Sequence, residues 1–368
     1  MNEKFSPLFE PYRLNNGVEI NNRFVVAPLT VYDSGKDGEL TPAARRFWQD
    51  RFNGFGLLIM PFTNVHPNGV GFESPNAFDE RHLPNLREYA EIAHQQRAKV
   101  VTQIAHAGLR ADPTMTAGLD AVAPTGDYFG RFRAMTEQEV WDMVASFAYA
   151  AELVLQAGLD GVEIHGANGW LIQQFVSAAT NLRTDYWGGT REKRFRFPLA
   201  IIDAIDAVRR KYRRPDFIIG YRFSPEEPGE HGLTMTDTLA FVDALLTKPL
   251  QYLHVSLWDF YKKARRDGND EYRMKMLHDH INGRLPFIGV GNLYTGDDIV
   301  NAWRTGWAEF IALGKTVMLN PNLIELIKNG RENEIQTYFD WSKAATYRYT
   351  PAMLHGTKLG MDFYPPSK

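Results

Sequence analysis

His165 and Asn168 stand three residues apart, just after the apolar run Gly161-Val162-Glu163-Ile164. Both side chains can donate a hydrogen bond, and residues three apart share a face on a turn of helix. Together they could grip one oxygen atom, and donors aimed at an oxygen that gains negative charge are a strong catalytic device. Other apolar runs end in similar chemistry. Pro28-Leu29-Thr30 follows Phe24-Val25-Val26-Ala27, Gln103 and His106 follow Lys99-Val100-Val101-Thr102, and Arg222 follows Phe217-Ile218-Ile219-Gly220. Gly291-Asn292 comes after Phe287-Ile288-Gly289-Val290, and Gly314-Lys315 after Glu309-Phe310-Ile311-Ala312. Glycines at such points let backbone N–H groups approach an anion, and Lys315 adds a point charge. Singly, each feature has a plain structural reading. A histidine after a strand is more often a satisfied packing residue, Arg222 could pair a buried carboxylate, and the glycines could be two tight turns. Six polar strand ends together favour a bound, phosphate-bearing ligand.

These residues need a frame that brings their strand ends together. With Gly56-Leu57-Leu58-Ile59 and Tyr252-Leu253-His254-Val255 the apolar, β-branched runs number eight. Runs this short and continuous suit parallel strands buried on both faces. Helical stripes separate them: Leu86, Tyr89, Ala90 and Ala93; Val140 to Leu155, opened by the capping box Thr136-Glu137-Gln138-Glu139; Leu199, Ile202, Ile205 and Val208; Leu239, Val242, Leu245 and Leu246. Thr295-Gly296-Asp297-Asp298 opens another, and Asn320-Pro321 is expected to start the last. The pattern predicts an α/β fold, a (β/α)8 TIM barrel. It would form a single domain over residues 1–368, with a core of about 9–330 and a C-terminal extension at 331–368. An open doubly wound sheet is the alternative, but no Gly-x-Gly-x-x-Gly follows the first strand. Segments 105–135 and 256–275 exceed a usual loop and are expected to cover a site. The basic clusters Arg209-Arg210-Lys211 and Lys262-Lys263 with Arg265-Arg266 are expected to be solvated.

Composition narrows the chemistry. The chain has 368 residues, with 41 Lys and Arg against 44 Asp and Glu, a net charge of −3. That balance argues against nucleic-acid binding. There is no cysteine, which excludes disulfides, zinc–thiolate sites, iron–sulfur clusters and a catalytic thiol. The first residues carry no signal-peptide core and no apolar stretch reaches membrane-spanning length, so a cytoplasmic protein without membrane contact is expected. Mass scaling gives a folded surface of about 15,000 Å2.

The chain resembles the old yellow enzymes, flavin-dependent ene reductases of the NADH:flavin oxidoreductase group, from about Phe9 to Gly330. The stretches that carry the resemblance are Asn22-Arg23-Phe24-Val25-Val26-Ala27-Pro28-Leu29-Thr30, Gln103-Ile104-Ala105-His106-Ala107-Gly108, Gly161 to Gly169, and Asn181-Leu182-Arg183-Thr184-Asp185-Tyr186-Trp187-Gly188-Gly189. It implies FMN as cofactor, NADH or NADPH as cosubstrate, and an activated alkene, an α,β-unsaturated carbonyl or nitro compound, as small-molecule acceptor. Ala27, Pro28 and Thr30 would line the flavin ring, and Gln103 would bond its pyrimidine edge. Arg222 would face N1 and O2, and Gly291, Asn292, Gly314 and Lys315 would cradle the phosphate. His165 and Asn168 would hold the acceptor's carbonyl oxygen, with Tyr32 beside them. Arg183, Asp185 and Gly188-Gly189 resemble a structural loop motif. The resemblance leaves open the choice between monomer and homo-oligomer.

Three positions depart from the family pattern. Trp170 stands where a tyrosine usually donates the α-carbon proton, and an indole N–H cannot serve as an acid near neutral pH. Phe62 replaces a small residue beside the ring, and Lys315 replaces an arginine. Trp170 keeps a second reading alive, a flavin NAD(P)H oxidase or quinone reductase with weak ene reductase activity. A third, a metal-dependent barrel hydrolase, would draw on His106, His165 and His254 as ligands.

Overall fold

Phe24–Val26 (β1), Leu57–Asn64 (β2), Lys99–Ala105 (β3), Gly161–Gly166 (β4), Ile218–Phe223 (β5), Tyr252–Val255 (β6), Phe287–Val290 (β7) and Phe310–Leu313 (β8) hydrogen-bond side by side in chain order. In the computed structural model, which describes residues 2–32, 34–35, 37–127, 129–266 and 270–368, these eight strands close a parallel barrel. Leu313 of β8 pairs with Val26 of β1 to complete the ring. Closure removes every exposed strand edge, which is why continuous apolar runs can sit here safely. Val25, Leu57, Ile59, Val101, Ile218, Tyr252, Ile288 and Phe310 fill the lower interior, with Leu14 and Ile20 of an N-terminal hairpin packed against them. The barrel therefore holds a packed plug, not a pore.

A barrel helix follows each strand: Pro42–Trp48 (α1), Leu83–Gln95 (α2), Glu137–Gln156 (α3), Arg196–Lys211 (α4), Met235–Leu246 (α5), Arg273–Ile281 (α6), Gly296–Arg304 (α7) and Leu323–Lys328 (α8), with shorter helices at Leu171–Val176 and Arg191–Arg194 before α4 and at Lys315–Leu319 before α8. Capping boxes start three of them, Thr136 with Glu139, Thr234 with Asp237, and Thr295 with Asp298. Each satisfies two backbone donors that would otherwise lack partners. The exposed surface totals 14,998 Å2, as mass scaling requires. Among the described residues no helix is long and apolar enough to cross a membrane.

Three local expectations are corrected. The last barrel helix starts at Leu323, because a short helix, Lys315–Leu319, runs straight off β8 and Asn320 closes it by donating from Nδ2 to the Thr316 carbonyl at 2.8 Å. Arg209 is not solvated: it pairs with Asp206 and donates to Gln251 Oε1 at 3.1 Å. Arg266 is a staple, donating to the Glu227 carbonyl at 2.6 Å and to the Gly232 carbonyl at 3.2 Å.

The segment beyond residue 330 is bonded to the barrel. Thr350 Oγ1 donates to the Val31 carbonyl at 3.1 Å. Fully buried Arg51 has no carboxylate partner among the described residues. Its guanidinium instead donates to the carbonyls of Phe47 at 2.8 Å, Val317 at 3.0 Å, Met318 at 2.8 Å and Tyr347 at 2.5 Å. Burial presses its pKa down to about 9.

Candidate active site

The barrel register sets the polar residues in rows. His165 on β4 pairs with Arg222 on β5, and Arg222 pairs with His254 on β6. Residues level with each other on neighbouring strands point to the same face, so these three side chains stand together at the C-terminal mouth. One layer below, Gln103 on β3 pairs with Glu163 on β4, Glu163 with Gly220 and Gly220 with Tyr252. A Cβ on Gly220 would lie 2.0 Å from the Tyr252 ring, so glycine there makes room for the aromatic.

Glu163 joins the rows. Gln103 Nε2 donates to its Oε1 at 2.7 Å, and His254 Nδ1 lies 2.8 Å from its Oε2. Burial alone would raise this carboxyl, but His254, the Arg222 cation and the Gln103 amide outweigh it and hold it below its ordinary value. His254 is lowered by burial despite Glu163, so the pair is a carboxylate and a neutral imidazole that donates from Nδ1. Burial, the Arg222 cation and His254 push His165 well below its ordinary value as well. His165 therefore meets a ligand as a neutral hydrogen-bond donor, not as an imidazolium.

Several buried polar atoms of the upper row bond to no described residue: Arg222 Nε, His165 Nδ1 and His254 Nε2. Buried polar groups in native proteins are nearly always paired, so this cluster calls for a polar ligand. An amide, a fixed cation and two imidazoles fit the edge of a planar heterocycle with carbonyl oxygens and a developing negative charge. Gly314 and Lys315 fit an anion at the far end: the nearest side-chain atom to an added Gly314 Cβ is 3.4 Å away, and Lys315 is half-buried. Burial lowers the Lys315 ammonium, whose Nζ lies 5.0 Å from the Trp258 ring centroid. These residues suit a flavin mononucleotide. Gly291 has a different reason to be glycine from the one expected. Its φ is +144° and an added Cβ would lie 2.4 Å from the Phe260 backbone nitrogen, so it lets the loops after β6 and β7 pack together. Asn292 beside it is exposed, with φ +46°.

Asn168 is not on a turn of helix with His165. His165 lies in β4, whereas Asn168 has φ +58°, a left-handed conformation that asparagine tolerates, and the next helix begins only at Leu171. Two serines hold this turn. The Asn168 backbone N–H donates to Ser224 Oγ at 2.8 Å, and Ser256 Oγ donates to Asn168 Oδ1 at 2.8 Å. With Oδ1 engaged, Nδ2 is the end of the amide left to donate.

An aromatic wall flanks His165. Phe62 lies 6.0 Å from the His165 ring, 5.0 Å from Trp170 and 5.1 Å from Phe72. Tyr32, with φ +45°, continues the wall at 5.0 Å from Phe72 and is backed by Phe363 at 5.6 Å. The β2 ladder slips between Met60 and Phe62, where Pro61 intervenes. Proline cannot donate to the ladder, so a bulge forms there and aims Phe62 at the mouth. Ala27 is buried directly after β1, while Pro28 and Thr30 are partly exposed. Arg183 forms a bidentate pair with Asp185 and donates to the Pro124 carbonyl at 2.9 Å, which makes that loop motif structural.

Glu163 and Phe72 are not among the sequence-predicted site residues, and His254 is there only as a ligand of the metal-dependent reading. A carboxylate inside a run of otherwise apolar strand residues was the signal for Glu163. His106 lies apart from the rows: its Nε2 is 2.8 Å from Asn68 Oδ1 and its Nδ1 accepts from the Gly108 N–H at 3.0 Å. Among the described residues no three His, Asp or Glu side chains group closely enough to hold a metal. Burial, with His66 adding to it, lowers His106 to about 3. The unfolded chain takes up this proton below its ordinary value near 6.5 while the folded protein does not, so stability is present above that value and lost as pH falls. Between pH 7 and pH 5 this residue should cost about 2 kcal/mol. Urea unfolding at the two pH values checks this, and His106→Gln should flatten the difference.

A closed parallel barrel whose mouth presents a buried cation, a carboxylate-braced amide and neutral histidine donors defines a flavin-binding oxidoreductase scaffold. Residues 7–334 match the model of the NADH:flavin oxidoreductase / NADH oxidase family, and the chain belongs to that family. A Bacillus subtilis relative named as a probable NADH-dependent flavin oxidoreductase is 42% identical over 92% of each chain. An NADH:fumarate oxidoreductase of Klebsiella pneumoniae is 32% identical over 89% of this chain but only 36% of its own length. An NADH:acrylate oxidoreductase of Vibrio harveyi is 33% identical over 83% of this chain and 31% of its own. Among solved structures, an old yellow enzyme homologue from Zymomonas mobilis superposes with a TM-score of 0.76 at 22% identity, covering 93% of this chain and 96% of that one. The fold is thus the old yellow enzyme barrel.

Proposed function

We propose that the protein is an FMN-dependent NAD(P)H oxidoreductase that reduces the C=C bond of activated alkenes. The carrying observation is His165: a neutral imidazole, kept so by burial beside Arg222, at the strand end next to the serine-held amide of Asn168. Bound FMN would supply the hydride chemistry, taking hydride from NADH or NADPH and passing it to the alkene's β-carbon. The chain's own residues do the rest. His165 and Asn168 Nδ2 donate to the carbonyl or nitro oxygen and so make the β-carbon electrophilic. Gln103, braced by Glu163, would hold the pyrimidine edge, and Arg222 would set a fixed cation beside it. Ala27, Pro28 and Thr30 would line the ring, while Asn292, Gly314 and Lys315 would serve its phosphate. Phe62, Phe72 and Trp170 exclude water from the acceptor. Tyr32, a phenol in the same wall, or water would give the α-carbon its proton, and burial raises the phenol's pKa. Two relatives named for fumarate and acrylate, both electron-poor alkenes, support the acceptor class. Residues 331–368 belong to the same unit as the barrel, given the bonds from Arg51 and Thr350.

Trp170 favours a second reading, a flavin NAD(P)H oxidase or quinone reductase in which the last proton transfer to an alkene is slow. Purified protein should be yellow, and under anaerobic conditions it should consume NADH or NADPH with cyclohexenone as acceptor. Turnover with oxygen or quinones alone would select the second reading. Colourless protein that does not take up FMN would defeat both.

A further inference from the structure

Arg110 lies at the same mouth and has no assigned task. Its guanidinium sits 5.5 Å from the Trp170 ring centroid, and Trp170 is 6.5 Å from the His165 ring. It also lies across the His165–Trp170 turn: a Cβ on Gly169 would be 3.2 Å from Arg110 Nε and Nη2, and Gly169, with φ +71°, leaves that space open. The exposed side chain thus lies within cation–π reach of an aromatic ring and close to a glycine, contacts that help to order a guanidinium. Its charge has no counter-ion among the described residues. Other arginines of the same excursion do: Arg131 pairs with Asp127 at 3.1 Å, and Arg133 with Asp120 at 2.7 Å and Glu139 at 2.6 Å. Asp112, two residues on, is turned back on Thr114, whose hydroxyl donates to its Oδ1 at 2.7 Å.

We propose that Arg110 binds a carboxylate carried by the acceptor at the end remote from its activating carbonyl, which makes planar, apolar alkenes with a distal acid the preferred substrates. The inference rests on the site reading above, in which His165 and Asn168 take the carbonyl. The molecule's flat apolar middle would then lie along Phe62, Phe72 and Trp170, and its acid would meet the five-donor fork of Arg110. Water screens a pair at this exposed guanidinium, and with the bidentate fork it is worth about tenfold in affinity.

The test uses the FMN-loaded protein and two matched pairs of probes. In equilibrium titrations followed in the flavin spectrum, 4-hydroxybenzoate should bind about tenfold or more tightly than its methyl ester. In anaerobic turnover, 4-carboxycinnamaldehyde should show a KM lower than its methyl ester by a similar factor. Arg110→Ala should bring both ratios near one, and Arg110→Lys should keep only part of each, because a point charge replaces the fork. Equal affinity for acid and ester in the unaltered protein would overturn the proposal. So would an Arg110→Ala variant that retains the ratio, or one that raises the NADH KM instead, which would give the cation to the dinucleotide. A binding preference lost in Arg110→Ala, with neither aldehyde reduced, would uphold Arg110 and remove the ene reductase reading.

Discussion

Replacing His165 by alanine is expected to slow reduction of an enone by roughly a hundredfold to a thousandfold while FMN stays bound. The expectation follows from its place. His165 is buried and stands level with Arg222, so its pKa is held low first by burial and then by the neighbouring cation. What it offers an acceptor is one neutral hydrogen bond in a water-poor site, worth most where charge builds on the acceptor oxygen. Its loss should therefore appear in the oxidative half-reaction and leave reduction by NADH less affected. Rapid mixing of pre-reduced protein with cyclohexenone measures the first step, and reduction by NADH the second. The long-wavelength band formed with phenols should vanish in the same variant. Unchanged enone kinetics would remove His165 from the mechanism.

Trp170→Tyr should act in the opposite direction. The indole packs 5.0 Å from Phe62 and 6.5 Å from His165, and it can donate a hydrogen bond but not a proton. A phenol at the same position would add a general acid, which typically contributes about a hundredfold or more to a step that needs one. The oxidative half-reaction with enones should speed up by at least tenfold, with NADH reduction little changed. Tyr32→Phe in the otherwise unaltered protein should slow the same half-reaction by about tenfold. If Trp170→Tyr changes nothing and Tyr32→Phe slows the reaction, Tyr32 already delivers the proton and the indole acts as wall alone.

All eight barrel strands were legible in the sequence because each holds a short, mostly apolar run, and a strand buried on both faces shows little polar alternation. The polar strand ends were legible for the converse reason: packing does not require them. Local sequence could not show what depends on partners far along the chain. Glu163 reads as a strand residue until Gln103 and His254 are seen on its two oxygens. The left-handed Asn168 turn depends on serines from β5's end and β6's end. Gly291 looks like a phosphate turn until the Phe260 backbone is found in the place of its missing side chain. The start of α8 was misplaced because a proline after an asparagine marks a helix entry as readily as it marks the gap between two helices. Phe72 carries no signal of its own and joins the wall through Tyr32, Phe62 and Trp170, which come from distant parts of the chain.

The guanidinium of Arg51 ties together pieces that are far apart in sequence. Its donors reach the carbonyl end of the short helix that begins at Lys315, and one of them reaches Tyr347 near the chain's close. Farther along the same tail, Phe363 props Tyr32 from behind. Trimming the protein back to its barrel would thus not yield a minimal catalyst. It would leave the Arg51 donor that now reaches Tyr347 unpaired beside the loop proposed to retain the prosthetic group, and it would remove the backing from the phenol proposed to finish the reaction, so the tail acts as a keystone.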